Sequence, residues 1–447
     1  MNNNAMAYCP TTPAAPAQEF IRNRESYADV YAMAASLEKL FAASREKVVC
    51  LATENRAVIA AALLAALSGK VSLLLPNALS KRALSRMQQA TGFGAAIADD
   101  EYRALLPPGT AVFWPQPGAD DEFAPCFSYQ SELICLFTGG TTGAPALWSK
   151  TGENLFAEAA FLAEYFAITD ADCIVATVSP CHIYGLLFTV LLPLVSSATV
   201  LAETPSFPAE ITEAVQENRA TVLASVPAHY RALRHTAVNP GTLRFAVSSA
   251  GMLDQADNSA FAGKNNIPVI EVYGSTETGG IATRNRAAGE ELFTPFSTVD
   301  WKIINTRLAV RSPYISSQTP LDEQGFFITG DRVESGPDNN FLLKGRVDTI
   351  TKVGGKRVDL DEVREALKMQ PGVEDCLVLS MNRQGGRGSQ ICALVQTADF
   401  HKEQIARGLQ DCLEPYARPR VLRGVAAIPM TGAGKYDLVA IRQLLES

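Results

Sequence analysis

The sequence predicts an α/β protein: a large N-terminal domain of parallel-rich sheets with helices plus a small β layer, followed by a small α+β C-terminal domain. Three observations lead there. At 447 residues the chain is about three times the length of a typical domain. Short β-branched runs alternate with helical patterns of about 10–15 residues, the rhythm of βαβ units and a parallel sheet. The last hundred or so residues follow a different pattern, strands paired through a Gly-rich turn and flanked by two helices.

The elements follow in order. The first 20 or so residues are rich in Asn, Pro and Ala and read as a loose arm. Lys47 to Ala52 is a strand, and a helix starts at Asn55 and runs through Val58, Ile59, Leu63 and Leu67 to Ser68-Gly69. Val71 to Leu75 is a second buried strand, Ala78 to Ala90 a helix, and Ala95 to Ala98 a third strand. The rhythm returns in Cys173 to Ser179, Ala198 to Ala202, Thr221 to Ser225 and Thr242 to Ser248. Between Leu308 and Phe327 short strands and turns (SPYISSQTP, DEQG) suggest the small β layer. Beyond it, Asp361 to Met369 is helical in period and stops at Pro371-Gly372. Strands Asp375 to Ser380 and Gln390 to Gln396 flank the turn RQGGRG, a helix spans roughly Lys402 to Leu413, and Val421 to Ile428 is a third strand. The domain boundary falls at GRVD, Gly345 to Asp348, giving domains 1–346 and 347–447.

Composition narrows the function classes. With 47% hydrophobic and 19% charged residues the chain can bury a large core, which argues against disorder and coiled coil. The longest apolar runs, Ala57 to Leu67 and Leu186 to Val195, fall short of the roughly 20 residues that span a bilayer. The N-terminus MNNNAMAYCP lacks the basic and apolar regions of a signal peptide. Nine cysteines without a CxxC pair favour reduced thiols, hence a cytoplasmic location, over disulfides or a zinc site. A net charge of −8 argues against nucleic acid as a partner.

Three motifs carry chemistry. Leu136 to Pro145, LFTGGTTGAP, feeds an apolar run into a Gly/Thr loop. Glycines let successive backbone N–H groups curl around an anion, and the Thr hydroxyls add hydrogen bonds. The pattern GxxxxGK[ST] does not fit these residues, so this is not a Walker loop; nor does it fit the GAGK ending at Lys435, which Tyr436 follows. In Val272 to Gly280, VYGSTETGG, the carboxylate of Glu277 sits in a hydroxyl- and Gly-rich loop after an apolar strand. Such a group can hold Mg²⁺ beside phosphates. Phe327 to Asp331, FITGD, ends a strand in a carboxylate, which suits the two hydroxyls of a ribose.

Taken with GRVDTITKVGGKRVDLDEV and Pro429 to Lys435, PMTGAGK, these motifs stand in the order used by the ANL adenylate-forming superfamily, which the chain resembles from about Lys47 to its C-terminus. That superfamily comprises acyl-CoA synthetases, adenylation domains of peptide synthetases and luciferases. The resemblance implies that Thr138, Gly139, Gly140, Thr141, Thr142 and Gly143 close over the ATP phosphates. It puts Tyr273, Gly274, Ser275 and Thr276 around adenine and phosphate, Glu277 on Mg²⁺, and Ala250 and Gly251 beside adenine and substrate. Asp331 and Arg346 would hold the ribose, and Lys435 would be the adenylation lysine. Asp348 would be the hinge that makes the small domain mobile, and Gly354 and Gly355 would line a thiol channel. These roles fit the chemistry: a carboxylate attacking the α-phosphate brings two anions together, so the site must supply positive charge.

His182, in SPCHIYG, matches the His–x–aromatic–Gly stretch that acyl- and aryl-CoA ligases place against the substrate. Amino-acid-activating members have an aromatic-Asp pair there, and no such Asp is present. Three features depart from the family pattern. Ala146 follows Pro145 where a lysine is usual, the nearest lysine being Lys150; Gly139 replaces a common Ser; and the YGSTE-to-TGD interval is short. The resemblance therefore implies an ATP- and Mg²⁺-dependent ligase that activates an aryl or aliphatic acid and passes it to CoA or to the phosphopantetheine of a separate acyl carrier protein. A stand-alone adenylation domain for an amino acid and a non-ligating nucleotide-binding relative are the alternatives.

Overall fold

The computed structural model describes residues 14–116, 123, 128, 130–138, 146–316, 318–353, 356–382, 389–410, 412–431 and 435–446. The chain divides into two compact units: Met1–Trp301 with Val310–Phe327, and Lys302–Ala309 with Ile328–Ser447.

The first unit holds two parallel-rich sheets. The first is built from β1 (Val48–Ala52), β2 (Ser72–Leu75), β3 (Ala95–Ala98), β4 (Ala111–Phe113), β5 (Glu132–Thr138) and β6 (Ala146–Thr151), in the order β4-β3-β1-β2-β5-β6. All its pairs are parallel except β5 with β6. The second uses β7 (Cys173–Ala176), β8 (Thr199–Val200), β9 (Val222–Ser225), β10 (Phe245–Ser248), β11 (Val269–Ser275), β12 (Gly279–Asn285) and β13 (Thr294–Pro295), ordered β13-β12-β11-β10-β9-β7-β8. Strands β8, β7, β9, β10 and β11 run parallel, β12 pairs antiparallel with β11, and β13 pairs antiparallel with β12.

Local sequence explains the elements. Asn55 caps helix Arg56–Ala66 by accepting from the Val58 N–H. Every residue of that helix is buried, which an alanine-rich sequence permits because neighbours can approach closely; each buried Val, Ile or Leu contributes about 1.5–3 kcal/mol. Even Arg56 is buried, its guanidinium on the Ala202 carbonyl and the Thr204 hydroxyl. The helix expected from Ala78 begins at Lys81, because Ser80 caps it by accepting from Ala83 N–H.

The loose-arm reading of the first 20 residues is corrected from Gln18 onward. Gln18 Nε2 donates to the Asp170 and Ser197 carbonyls (2.6 and 2.8 Å). Phe20 is fully buried edge-on to Tyr27, and Ile21 pairs with Val200. Residues 1–13 lie outside the described residues.

Four further strands, β14 (Asp300–Ile304), β15 (Arg307–Arg311), β16 (Phe327–Ser335) and β17 (Phe341–Arg346), form a sheet in that order. A ribbon of β18 (Ile350–Val353) and β19 (Lys356–Asp359) follows. The second unit ends in a sheet of β20 (Asp375–Asn382), β21 (Ser389–Gln396) and β22 (Val421–Val425). Its strands are apolar on both faces, for a reason visible in the packing. Cys376, Val378, Ile391, Ala393 and Val395 pack with the helices Leu360–Lys368 and Lys402–Gly408. The alternate residues Leu377, Leu379, Cys392 and Leu394 pack with Ile441 and Leu445 of the C-terminal helix Leu438–Glu446. Among the described residues no helix is long and apolar enough to cross a membrane.

Candidate active site

Parallel strands put their carboxyl ends on one edge of a sheet, the edge where open α/β folds bind ligands. In the second sheet that edge carries His182 in the chain following β7, His229 following β9, Ser249-Ala250-Gly251 following β10, and Tyr273 to Glu277 at the end of β11. Hydrogen bonds tie these segments together. The Tyr184 hydroxyl lies 3.1 Å from the Ser225 carbonyl and 3.0 Å from that of Val247, joining the SPCHIYG turn to β9 and β10. Gly185 is required there, since a Cβ would run into the Ser179 carbonyl. Half-buried His182 precedes the short helix Ile183–Leu186. Thr177 Oγ1 lies 2.7 Å from both Ser225 Oγ and His229 Nδ1. Burial lowers the pKa of His229.

Ser249 Oγ donates to the Val272 carbonyl at 2.8 Å, fixing the loop after β10 to β11. The next residue, Ala250, sits at φ 68°, a left-handed conformation uncommon for alanine and often found where a site constrains the backbone.

The loop between β11 and β12 is closed by side chains. Ser275 and Thr278 exchange backbone-to-hydroxyl bonds (3.2 Å each) and lie hydroxyl to hydroxyl at 3.0 Å. Tyr273 packs on Phe293, ring centroids 5.6 Å apart. Beneath the loop lies Lys150, 1% exposed. Its Nζ donates to the Glu277 carbonyl (3.0 Å) and the Tyr314 carbonyl (2.5 Å). Glu158, also 1% exposed, accepts from the Gly280 N–H at 2.6 Å. Burial pulls the Lys150 ammonium down to about 8, opposed by Glu158 and Glu277, and pushes Glu158 up, opposed by Lys150.

The half-buried Glu277 accepts no hydrogen bond on its carboxylate and makes no ion pair among the described residues. No cluster of three metal-ligating side chains exists among those residues. A single unpaired carboxylate is a poor cage for Zn²⁺ or Ca²⁺ but suits Mg²⁺, which takes one or two carboxylates and completes its shell from water and substrate phosphates.

Of the expected phosphate loop, Thr138 ends β5, and Gly139, Gly140, Thr141, Thr142 and Gly143 lie outside the described residues. Ala146 opens β6, in register with Thr138.

In the second unit Asp331 and Arg346 face each other across β16 and β17, and Arg346 Nη1 lies 3.3 Å from Asp331 Oδ1. The guanidinium lies over Gly330, where a Cβ would come within 2.6 Å of Nη2. Asp348 lies in the short 3₁₀ turn Val347–Thr349, while Gly354 and Gly355 lie outside the described residues. Lys435 is exposed on a hairpin whose base is the Met430–Tyr436 bridge. Thr431 N–H donates to the Lys435 carbonyl at 2.7 Å, and Tyr436 OH donates to Asp375 Oδ2 at 2.7 Å beside Arg364.

Sequence reasoning noted Lys150 only as the nearest lysine and missed Glu158, His229 and Thr177. One signal was present. On helix Gly152–Tyr165, Glu158 stands three residues after Leu155 and four before Leu162, so a carboxylate occupies the apolar stripe.

Comparison with known proteins identifies the family and the fold. The family model of the AMP-binding enzyme matches residues 7–328. The chain is 28% identical over 300 residues to a 4-coumarate–CoA ligase of Rhodobacter capsulatus, covering 67% of this chain and 73% of that one. It is 25% identical over 369 residues to an acetyl-coenzyme A synthetase of Xanthomonas axonopodis, covering 71% of this chain but only 57% of the relative. The structure of ATP-bound MatB from Rhodopseudomonas palustris superposes with a TM-score of 0.85 at 21% identity, over 99% of each chain. With the family model spanning most of its length, this chain belongs to the AMP-binding enzyme family.

Proposed function

We propose that this protein is an AMP-forming acid–thiol ligase: it activates an aryl or aliphatic carboxylic acid as its acyl-adenylate and passes the acyl group to a thiol. The thiol belongs to CoA or to the phosphopantetheine arm of a separate acyl carrier protein. The observation that carries this reading is the Glu277 carboxylate, which has no hydrogen bond or ion pair among the described residues and is held in a loop at the carboxyl end of β11, the strand to which Ser249 ties the loop after β10. The relatives support the thiol acceptor, since the two described above bear CoA-ligase or CoA-synthetase names.

Glu277 would hold Mg²⁺, which when bound supplies positive charge at the ATP phosphates. Thr138 and the Gly139–Gly143 loop would bind those phosphates. Tyr273, Gly274, Ser275 and Thr276, with Ala250 and Gly251, would surround adenine and α-phosphate, and Asp331 with Arg346 would hold the ribose. Their side-by-side register on β16 and β17 is consistent with joint recognition of one sugar. Lys435 stabilises the charge that develops as the acid attacks and pyrophosphate leaves. His182 orients the acid. Asp348 is the hinge, at a functional boundary of 346/347. That boundary lies inside the second compact unit because β16 and β17 pack with it, and a rotation axis need not coincide with a packing boundary. Gly354 and Gly355 line the thiol channel.

Pyrophosphate exchange tests the reading. Purified protein with Mg²⁺ and a panel of aryl, aliphatic and amino acids should move labelled pyrophosphate into ATP, and release AMP once a thiol is added. Aryl or aliphatic acids should outcompete every amino acid, and His182→Ala should slow exchange without abolishing ATP binding. Formation of ADP, or a clear preference for an amino acid, would overturn it.

A further inference from the structure

We propose that Lys150 and Glu158 are positioning residues that fix Glu277 for divalent-metal binding, Lys150 by holding the Glu277 carbonyl and Glu158 by holding the amide three residues on. The inference rests on the ligase reading in one respect, that Glu277 is the metal's carboxylate.

The loop's internal bonds between Ser275 and Thr278 set its shape but not where it sits. Its place is set by what reaches it from β6 and from helix Gly152–Tyr165. Two carbonyls, those of Glu277 and Tyr314, converge on the Lys150 ammonium beneath the loop. Meeting both from one position needs a donor with more than one N–H, and a lysine ammonium has three. On the far side of the turn Glu158 takes the Gly280 N–H. Gly279 between them is at φ 67°, and a Cβ there would lie 2.6 Å from Glu158 Oε2 and 2.8 Å from Tyr314 Cβ. The backbone therefore lies directly against Glu158 and Tyr314.

The same helix start grips the adjoining segment: Asn154 Nδ2 donates to the Pro313 and Ile315 carbonyls at 2.7 and 3.3 Å. β6, the helix, residues 313–315 and the Glu277 turn are thus one braced block, every member belonging to the first unit. A buried charge pair adds little net stability over apolar residues of the same size. What Lys150 and Glu158 add is a fixed position for the turn.

The test compares wild type, Lys150→Met, Glu158→Gln and the double variant. In hydrogen–deuterium exchange of the unliganded protein, Lys150→Met should speed exchange in the peptide covering residues 272–283 while β9 and β10 keep their protection. The Mn²⁺ concentration for half-saturation, read by EPR with a nonhydrolysable ATP analogue, should rise about 10-fold or more, as changes behind a metal ligand do. The double variant separates position from stability. Removing both charges should restore the melting temperature lost in Lys150→Met, and it serves as the test should that single variant fail to fold, yet the Mn²⁺ midpoint should stay raised. A midpoint that recovers with the melting temperature, or loop exchange unchanged in Lys150→Met, overturns the proposal. Wild type that binds no Mn²⁺ with the analogue and exchanges no pyrophosphate would sink the ligase reading instead, and the loop-exchange comparison would still decide the positioning role.

Discussion

The turn that carries Glu277 is fastened from three directions: by the Ser275–Thr278 bonds within it, by Lys150 on one carbonyl and by Glu158 on the amide beyond. The hairpin that carries Lys435 is fastened at its base, where Tyr436 bonds Asp375 and Asp437 N–H donates to the Pro429 carbonyl, while Lys435 itself stands exposed. The contrast follows the two tasks proposed for them. A metal-binding carboxylate must already be in place when the nucleotide arrives, because geometry displaced by an ångström loses charge stabilisation. A lysine needed for one half-reaction works from a surface hairpin on a braced foot, so that it can leave for the other.

The largest expected effect breaks the exposed side. Lys435→Ala should slow adenylation by roughly 10²–10³, leave thioester formation from supplied acyl-adenylate nearly normal, and leave the melting temperature unchanged. Equal slowing of both half-reactions would show that Lys435 has no step-specific role.

Next comes a change on the fastened side. Gly279→Ala places a Cβ at φ 67° against Glu158 and Tyr314, which should cost about 2–3 kcal/mol in a denaturant titration. It should also raise the Mg²⁺ requirement of pyrophosphate exchange. The opposite combination, lost stability with an untouched Mg²⁺ requirement, would mean that Glu277 does not feel the bracing.

Tyr436→Phe loosens the foot of the Lys435 hairpin. Asp375 is 3% exposed and keeps Arg364 as partner at 3.3 Å, so losing the phenol should cost about 1.5 kcal/mol with only a small fall in adenylation. A fall as large as that of Lys435→Ala would show that the hairpin needs a rigid foot to act.

The smallest effect is on pH. Burial holds the folded-state pKa of His229 below its ordinary 6.5. As pH falls below that ordinary value, the unfolded chain binds a proton that the folded one refuses. This share of stability is therefore complete above about 6.5 and is lost progressively as pH falls toward the depressed folded value. His229→Gln should flatten that part of the stability–pH curve and leave the alkaline side alone; an unchanged acid limb would assign the slope to other groups.

Much of this was legible in the sequence because it depends on near neighbours. Period and residue type placed strands at 47–52, 71–75 and 95–98 and a helix from Asn55, within one residue of the strands at 48–52, 72–75 and 95–98 and of the start of the helix at 56–66. A Gly- and hydroxyl-rich loop after an apolar run drew attention to Glu277 and a strand-end carboxylate to Asp331, while Lys435 stood out only through the family resemblance. Boundaries drifted where a cap outvoted hydrophobicity, as at Ser80. The N-terminal segment was misread because Phe20 and Ile21 find their partners at Tyr27 and Val200 rather than in their own run.

By itself the sequence determined the α/β rhythm, the distinct strand-and-helix pattern of the last hundred or so residues and the order of the nucleotide motifs, since each is written in residue types a few positions apart. Tertiary structure alone decided that Asp331 and Arg346 form a pair, which needed the β16–β17 register. It also turned a lysine in LWSKT and a glutamate in an apolar helix into the two braces of a loop 127 and 122 residues away. A charged side chain is buried only when something distant brings the hydrogen-bond partners and the opposite charge that offset its lost hydration, and a linear pattern does not record which distant backbone will arrive.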